Sequence, residues 1–227
     1  MIRMRFPDRS TTLVARAAAC MVLAATLAAA RPVLADPIAD AVAQVRKDWE
    51  FITYLTPPSD QAARLESLAV HARQVATEHA GHAEPLIWEG IVVSSLANAK
   101  GGLGALSLAK EARDLYEQAI RIDGKALDGS AYNSLGVLYY KVPGWPIGFG
   151  DKRKADALLK QALAINPDGI DSNFFYGDFL LQTGRAGEAV PYLERALKAP
   201  ARPSREIADE GRRKEAQALL TKARSLI

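Results

Sequence analysis

The stretch "IDSNFFYGDFLLQTGRAGEAVPYLERALKAPARP", residues 170–203, decides the fold of this chain. Its small residues recur at helical spacing, with Gly177 in the first half and Ala189 and Ala196 in the second. Small side chains on one face of a helix allow a second helix to pack closely against it. Gly184 lies between the two halves, at a position typical of a helix end. The stretch therefore predicts two helices that pack against each other and are joined by a short turn.

The same spacing occurs earlier in the chain. The matching positions are Tyr132, Leu135, Gly136, Tyr139, Ala155, Leu159, Ala162 and Pro167 in the earlier copy, and Asn173, Tyr176, Gly177, Leu180, Ala189, Leu193, Ala196 and Ala201 in the later one. A weaker copy, with Leu86, Gly90, Val93, Ala112, Tyr116, Ala119 and Gly124, precedes both. This pattern resembles the tetratricopeptide repeat (TPR), a helix pair of about 34 residues. The resemblance implies an all-α solenoid of stacked antiparallel helix pairs.

Four segments follow from this pattern and from the amphipathic helices that flank it. Residues 1–35 are predicted to be a signal peptide, and 36–82 an N-terminal helical pair. Residues 83–203 hold three TPR-like repeats, at 83–128, 129–169 and 170–203. The arginine-rich amphipathic stretch 204–227 is predicted to be a C-terminal capping helix, because a repeat array needs a polar-faced end for solubility.

The turn between the two helices is enlarged in the first two repeats. In the last repeat the two positions that flank the turn, 180 and 189, are 9 residues apart. The equivalent positions are 19 residues apart in the first repeat, at 93 and 112, and 16 apart in the second, at 139 and 155. The turn of the second repeat contains Pro143, Pro146 and three glycines, a composition that no helix accommodates. Equivalent turns lie side by side in a stacked array, so we expect two neighbouring glycine-rich loops that touch each other.

Trp145, Ile147 and Phe149 give the loop at 142–151 two alternative roles. They fold back and cover one end of the helical core, or they form, with the neighbouring loop, a rim that holds a ligand or a partner. We expect Trp145 to be packed against the core, because exposed Trp, Ile and Phe would form a sizeable apolar patch. Asp151 is predicted to be the N-cap of the helix that follows.

The first 35 residues have the order of a secretory signal: arginines, the apolar run Ala17–Ala30, then small residues with cleavage expected after Ala35 or after Ala30.

Five arginines and one aspartate give this leader a net charge of +4. The whole chain has a net charge of +3, so the residues after the leader carry about −1. The basic character belongs to the leader, and no nucleic-acid partner is expected. Cys20 precedes most of the apolar run, so no lipid anchor is expected. The predicted location is periplasmic or secreted, with no stable membrane span in the mature form.

The resemblance also implies a concave groove lined by the first helix of each repeat. The implied positions are Ile87, Ile91, Ser94, Ser130, Asn133, Val137, Tyr140, Asp171, Phe174, Asp178 and Leu181. The candidate partner-binding residues are Asn133, Val137, Tyr140, Asp171, Phe174 and Asp178 from this groove, with Trp145 and Phe149 from the enlarged turn. Because Asp171 and Asp178 are acidic, a basic or uncharged extended peptide is expected rather than a C-terminal carboxylate.

No catalytic or metal-binding motif supports an enzyme. The histidines His71, His79 and His82 lie in one helix and its exit, without the spacing of a metal site or a nucleophile nearby. No catalytic residue, metal or cofactor is therefore predicted. The predicted function is a non-catalytic periplasmic TPR scaffold for a protein or peptide partner in the cell envelope.

A narrower resemblance gives an alternative function. The segment "YYKVPGWPIGFGDKRKADALLKQALAINPD", residues 139–168, is similar to periplasmic repeat proteins like the T component of tripartite ATP-independent periplasmic (TRAP) transporters. This likeness covers residues 132–203. It implies an accessory component of a periplasmic transport system, with a small ligand in place of a polypeptide.

Overall fold

The computed structural model of the protein describes residues 37–227, except for the side chain of Leu103. The predicted signal peptide and Cys20 lie outside the described residues. Within them the chain forms helices and no strand. The helices are α1 (Pro37–Leu55), α2 (Pro58–Glu78), α3 (Ala83–Lys100), α4 (Gly102–Asp123), α5 (Ala126–Lys141), α6 (Lys152–Ile165), α7 (Ile170–Gln182), α8 (Ala186–Lys198) and α9 (Glu206–Arg224). The prediction of an all-α solenoid of helix pairs is confirmed.

Close packing at glycine holds each repeat's two helices together. A Cβ atom added to Gly136 in α5 would lie 2.7 Å from Cγ of Leu159 in α6, and one added to Gly177 in α7 would lie 2.8 Å from Leu193 in α8. Heavy atoms do not approach so closely without displacement, so both positions require glycine. Each hairpin also buries small residues of its second helix, and these are Ala112, Ala155, Ala162, Ala189 and Ala196. The small-residue pattern in the sequence therefore marks the helix crossings.

The extra residues between positions 93 and 112 do not form a loop, which corrects the expectation of a second glycine-rich loop. Helix α3 continues to Lys100 and α4 starts at Gly102, so these residues lengthen both helices. The chain turns at Gly101 and Gly102, whose φ values of 60° and 64° lie in the left-handed region that favours glycine. Leu96 and Ala97 are buried and extend the apolar face of α3 into this segment. Helix formers with buried side chains therefore continue the helix up to the glycine pair.

The helices form two layers. Helices α1, α3, α5, α7 and α9 make an inner layer in which each helix contacts the next, and α2, α4, α6 and α8 pack against them from outside. Helix α9 also contacts α1, so the inner layer closes into a ring. A Cβ atom added to Gly211 in α9 would overlap the ring of Tyr54 in α1. The C-terminal helix is therefore more than the expected cap on the last repeat, because it also joins the two ends of the array.

No helix among residues 37–227 is both long enough and apolar enough to cross a lipid bilayer.

Candidate functional site

The inner ring encloses a cavity, called the lumen here, with a volume of about 1070 Å³. It extends along α1 from Ile38 to Tyr54 and along α3 from Glu84 to Asn98. Helix α5 lines it from Leu127 to Lys141, while α7 contributes its first half and α9 contributes Arg212 and Glu215. The lumen is the concave face of the solenoid, and the contact between α9 and α1 closes the groove on its remaining side.

Polar atoms in the lumen wall lack hydrogen-bond partners. Asn133 is only 4% exposed, and its Oδ1 atom has no partner. Thr53 Oγ1 and Arg46 Nε are likewise buried and unpaired. Arg46 also makes no ion pair with any residue in the described part of the chain. Buried polar groups are normally hydrogen-bonded, so each of these three atoms needs a partner such as a water molecule or a polar ligand.

Three arginines around the start of α9 close the ring. Arg205 donates to Oε1 of Glu50 in α1 at 2.8 Å, and its guanidinium lies 5.5 Å from the ring centre of Trp88 in α3. Arg202 Nη1 is 2.6 Å from Asp171 Oδ2 in α7. These contacts join the C-terminal segment to three inner helices.

The third arginine, Arg212, is held on several sides. Its guanidinium lies 4.5 Å from the ring centres of both Phe174 and Phe175, and its Nε donates to Asp171 at 2.8 Å. Burial opposes the ionisation of Asp171, but the charges of Arg212 and Arg202 outweigh burial and hold its pKa below the usual value. Burial raises the pKa of neighbouring Tyr54 to about 12, although Arg212 opposes this change. Asp171 is therefore a charged structural partner of α9.

The enlarged turn at residues 142–151, called the tip loop here, leaves most of its apolar side chains in solvent. Trp145 is 90% exposed and Ile147 is 70% exposed, so the expectation that Trp145 packs against the core is wrong. Of the three predicted apolar residues only Phe149 folds back, with its ring 5.6 Å from that of Tyr139 and under the guanidinium of Arg113. Val142, at the start of the loop, also packs against the core. The reason lies in the backbone, because Asp151 N–H donates to the Tyr139 carbonyl at 2.8 Å and holds the base of the loop, where Phe149 is.

Asp151 acts as the N-cap of α6, as predicted. Its Oδ1 accepts hydrogen bonds from the backbone N–H groups of Arg153 at 2.8 Å and Lys154 at 3.2 Å. These hydrogen bonds lower the pKa of Asp151, and the bond from Lys154 has the largest effect. The cap begins the helix directly after the tip loop.

Comparison with known proteins identifies the repeated unit. Residues 170–202 match the family model described as tetratricopeptide repeat. This segment is similar to a tetratricopeptide repeat. No curated protein sequence matches the chain significantly.

Several solved structures are similar to this one. TTC0263, a TPR protein from Thermus thermophilus, matches with a TM-score of 0.53 and 18% identity, over 83% of this chain and 91% of that one. MamA matches with a TM-score of 0.44 and 17% identity, over 72% and 89% of the two chains. YrrB, described as a TPR protein with an unusual peptide-binding site, matches with a TM-score of 0.41 and 18% identity, over 84% and 92%. At 18% identity, the likeness to TTC0263 concerns the fold alone.

The TPR array brings only some of the predicted binding positions into the lumen. Asn133, Val137 and Asp171 line it, together with Ile91, Ser94 and Ser130. Phe174 is 6% exposed beneath Arg212, and Ile87 and Leu181 are buried in the core. Trp145 and Phe149 lie on the tip loop, away from the lumen wall.

The expected acidic groove is neutralised by neighbouring cations. Asp178 Oδ2 accepts a hydrogen bond from Tyr140 at 2.8 Å and pairs with Lys141 Nζ at 2.9 Å. Burial raises the pKa of Tyr140, and the negative charge of Asp178 raises it further. Asp171 is similarly paired with Arg202 and Arg212. Neither carboxylate is therefore a free negative charge for a basic ligand.

Sequence reasoning missed the lumen residues of α1 and α9. Arg46 and Thr53 lie on α1, and Arg205 and Arg212 approach from the C-terminal segment. These helices lie outside the recognised repeats, so the repeat pattern does not assign them to the groove. One signal was available, because Arg205 and Arg212 are seven residues apart and so share one helical face.

Across residues 37–227, no group of three or more His, Cys, Asp or Glu side chains is arranged to hold a metal ion.

Proposed function

We propose that this chain is an exported, non-catalytic scaffold whose lumen binds an extended segment of a protein or peptide partner. The observation that carries the proposal is the set of unpaired polar atoms on the lumen wall, at Asn133, Thr53 and Arg46. A peptide backbone offers both N–H donors and carbonyl acceptors along its length. It would satisfy the amide of Asn133, the hydroxyl of Thr53 and the guanidinium of Arg46 together.

The length of the lumen suits a short extended segment. Its wall on α1 runs from Ile38 to Tyr54, which is about 24 Å at the rise of 1.5 Å per helical residue. An extended chain advances about 3.3 Å per residue, so about seven residues would span the lumen. Ring closure surrounds such a segment with five helices, which supports a binding mode in which the partner passes through the ring.

The charges around the lumen refine the expected segment. Glu84, Asp128 and Asp168 lie at the amino-terminal ends of α3, α5 and α7, and none of them pairs with a described cation. Arg46 provides the unpaired positive charge on the wall of α1. A segment with donor or basic groups near these carboxylates and an acceptor group near Arg46 fits this arrangement. The expected class of basic or uncharged peptides therefore remains, but Asp171 and Asp178 are paired and would not be the groups that select it.

A small ligand is the second candidate, and the enclosed volume favours it. At about 1070 Å³ the lumen is close to the upper end of the range of about 300–1000 Å³ found for small-molecule pockets. In this alternative the protein is an accessory of a periplasmic transport system, as the TRAP-like segment at 139–168 suggests. Native mass spectrometry of the protein purified from its own compartment separates the two: a co-purified polypeptide supports the scaffold, and a retained small molecule supports the accessory.

A crosslinking experiment tests the position of the partner. A photo-reactive benzophenone side chain placed at Val137 faces the lumen, and the same group at Val70 on α2 is a matched control because Val70 is 70% exposed on the outer layer. We expect a polypeptide adduct in the cell at position 137 and none at 70. Equal labelling at both positions, or none at 137, contradicts binding in the lumen.

Asn133→Leu is the companion variant. The Oδ1 of Asn133 has no partner among the described residues, so removal of the amide leaves no other described group unsatisfied. The free energy of unfolding should then stay within about 1 kcal/mol of the parent value, while the adduct at position 137 disappears. A variant that keeps the adduct shows that the amide does not contact the partner.

Export is part of the same proposal. It is supported by the arginine-dotted leader with its apolar run and small residues, at 1–35. Cell fractionation and determination of the mature N-terminus test it. We expect the protein in the periplasm or the medium with a new N-terminus near Asp36, whereas a cytoplasmic protein that keeps Met1 contradicts export.

A further inference from the structure

The tip loop presents two large apolar side chains to solvent within three residues. Trp145 is 90% exposed and Ile147 is 70% exposed. The same loop packs Val142 and Phe149 against the core at its two ends, and leaves the two side chains between them in solvent. Exposed apolar clusters of this kind mark interaction sites on soluble proteins.

The tip loop is held by its backbone. Gly148 N–H donates to the Gly144 carbonyl at 3.1 Å, and Gly150 N–H donates to the Pro143 carbonyl at 2.9 Å. Together with the bond from Asp151 to Tyr139 at its base, these bonds define one conformation for the segment between α5 and α6. Trp145 and Ile147 are therefore displayed by an ordered loop, which reduces the conformational entropy lost when they are buried by a partner.

Three exposed cations follow the loop directly. Lys152, Arg153 and Lys154 form the first turn of α6, which contains no acidic residue. None of them pairs with a carboxylate within residues 37–227, although the Lys154 ammonium lies 5.3 Å from the ring centre of Tyr139. The carboxylate of Asp151 is occupied by the backbone of this turn. The patch is thus locally positive on a chain whose residues after the leader carry about −1 in total.

We infer that the tip loop and the first turn of α6 form a docking site for an anionic lipid surface. Tryptophan is enriched at the membrane–water interface, where its ring is apolar on one side and hydrated on the other. Ile147 adds apolar area at the same depth, and the three cations meet lipid phosphates. Charge complementarity favours an anionic over a neutral surface, and each cation near such a surface strengthens binding about fivefold.

A folded acidic protein fits this site less well. A stable protein interface buries about 800 Å² on each partner, with anchors seated in matching pockets. The tip loop offers only two apolar side chains, on a projecting turn. Its long lysine and arginine side chains can adapt to the mobile headgroup charges of a lipid surface. The docking site is separate from the lumen, so the proposal does not depend on the proposed function.

Vesicle co-sedimentation tests the inference. The full chain is mixed with vesicles of phosphatidylcholine alone or of phosphatidylcholine with phosphatidylglycerol. We expect binding to the anionic vesicles and little binding to the neutral ones. The variant with Lys152, Arg153 and Lys154 replaced by Gln should bind the anionic vesicles about a hundredfold more weakly. A variant with Lys47, Arg64 and Lys222 replaced by Gln removes the same charge from other exposed sites and should bind like the parent.

Apolar variants separate the tip loop from the rest of the surface. We expect Trp145→Ala and Ile147→Ser each to weaken binding at least tenfold, whereas Val70→Ser, a matched change at a residue 70% exposed on α2, leaves it unchanged. All variants carry the same first 35 residues, so differences in vesicle binding between them arise from the substituted residues and not from the leader.

Tryptophan fluorescence gives a second measurement on the same samples. Trp49 and Trp88 are 8% and 4% exposed, so Trp145 is the described tryptophan that vesicles can reach. We expect a blue shift and protection from iodide on anionic vesicles. Equal binding to neutral vesicles, an unchanged spectrum, or an equal loss in the Lys47, Arg64 and Lys222 control overturns the inference. Binding to soluble polyglutamate but not to vesicles also overturns it and identifies an acidic protein as the partner.

Discussion

Replacing Arg205 by methionine would remove the cation that joins the last helix to the first while keeping a long apolar side chain. Arg205 Nε lies 2.8 Å from Glu50 Oε1, and the two side chains are 19% and 4% exposed. The variant leaves Glu50 as a buried carboxylate without its partner, which costs about 3–5 kcal/mol. The lost contact with Trp88 adds about 0.5–1 kcal/mol. We therefore expect the free energy of unfolding to fall by about 4 kcal/mol.

Urea unfolding followed by circular dichroism measures this change. With a slope of about 2 kcal/mol per molar urea, the midpoint should fall by about 2 M. Arg224→Met is the matched control, because the pair of Arg224 with Glu194 is 56% and 38% exposed and its loss should cost less than about 1 kcal/mol. The double variant Glu50→Leu with Arg205→Met leaves no buried charge and should recover most of the stability. An Arg205→Met protein that unfolds like the parent, or a double variant as unstable as the single one, would refute ring closure through this pair.

Three further predictions follow from the packing. Trp145→Ala should change the free energy of unfolding by less than about 0.5 kcal/mol, because the side chain is 90% exposed; a large drop in the urea midpoint would show that the loop covers the core. Gly136→Ala should cost about 1–3 kcal/mol, since the new Cβ would lie 2.7 Å from Leu159, and a thermal melt equal to that of the parent would contradict this crossing geometry. The pKa of Asp171 is lower in the folded than in the unfolded state, so its stabilising effect should be present above about pH 4 and be lost as the pH falls further. Unfolding of the parent and of Asp171→Asn at pH 6 and pH 3 measures this, and equal losses in both proteins on acidification would exclude Asp171 as the cause.

Part of the candidate site follows from the repeat pattern. Asn133 and Val137 were assigned to the concave face from their positions in the first helix of a repeat, and both line the lumen. The charge of that face could not be assigned in the same way. Asp171 and Asp178 are acidic in the sequence, but their partners Arg202, Arg212 and Lys141 neutralise them in the fold. A side chain's effective charge depends on its neighbours, which a repeat pattern does not specify.

The helix pairs and the places where they cross can be predicted from local sequence. Gly136, Gly177 and the alanines opposite them are local features, because helix packing requires small residues at fixed spacing wherever the pair occurs. The proline and glycine content of residues 142–151 likewise determined that no helix continues there.

The closure of the array into a ring and the exposure of Trp145 depend on contacts that form only in the folded chain and could not be predicted from the sequence. Glu50 and Arg205 are 155 positions apart, and their contact depends on the small rotation between neighbouring pairs, summed over the whole array. No local pattern encodes that sum. The exposure of Trp145 depends on backbone hydrogen bonds donated by Gly148, Gly150 and Asp151. These bonds fix the loop in a conformation in which its tip does not reach the core.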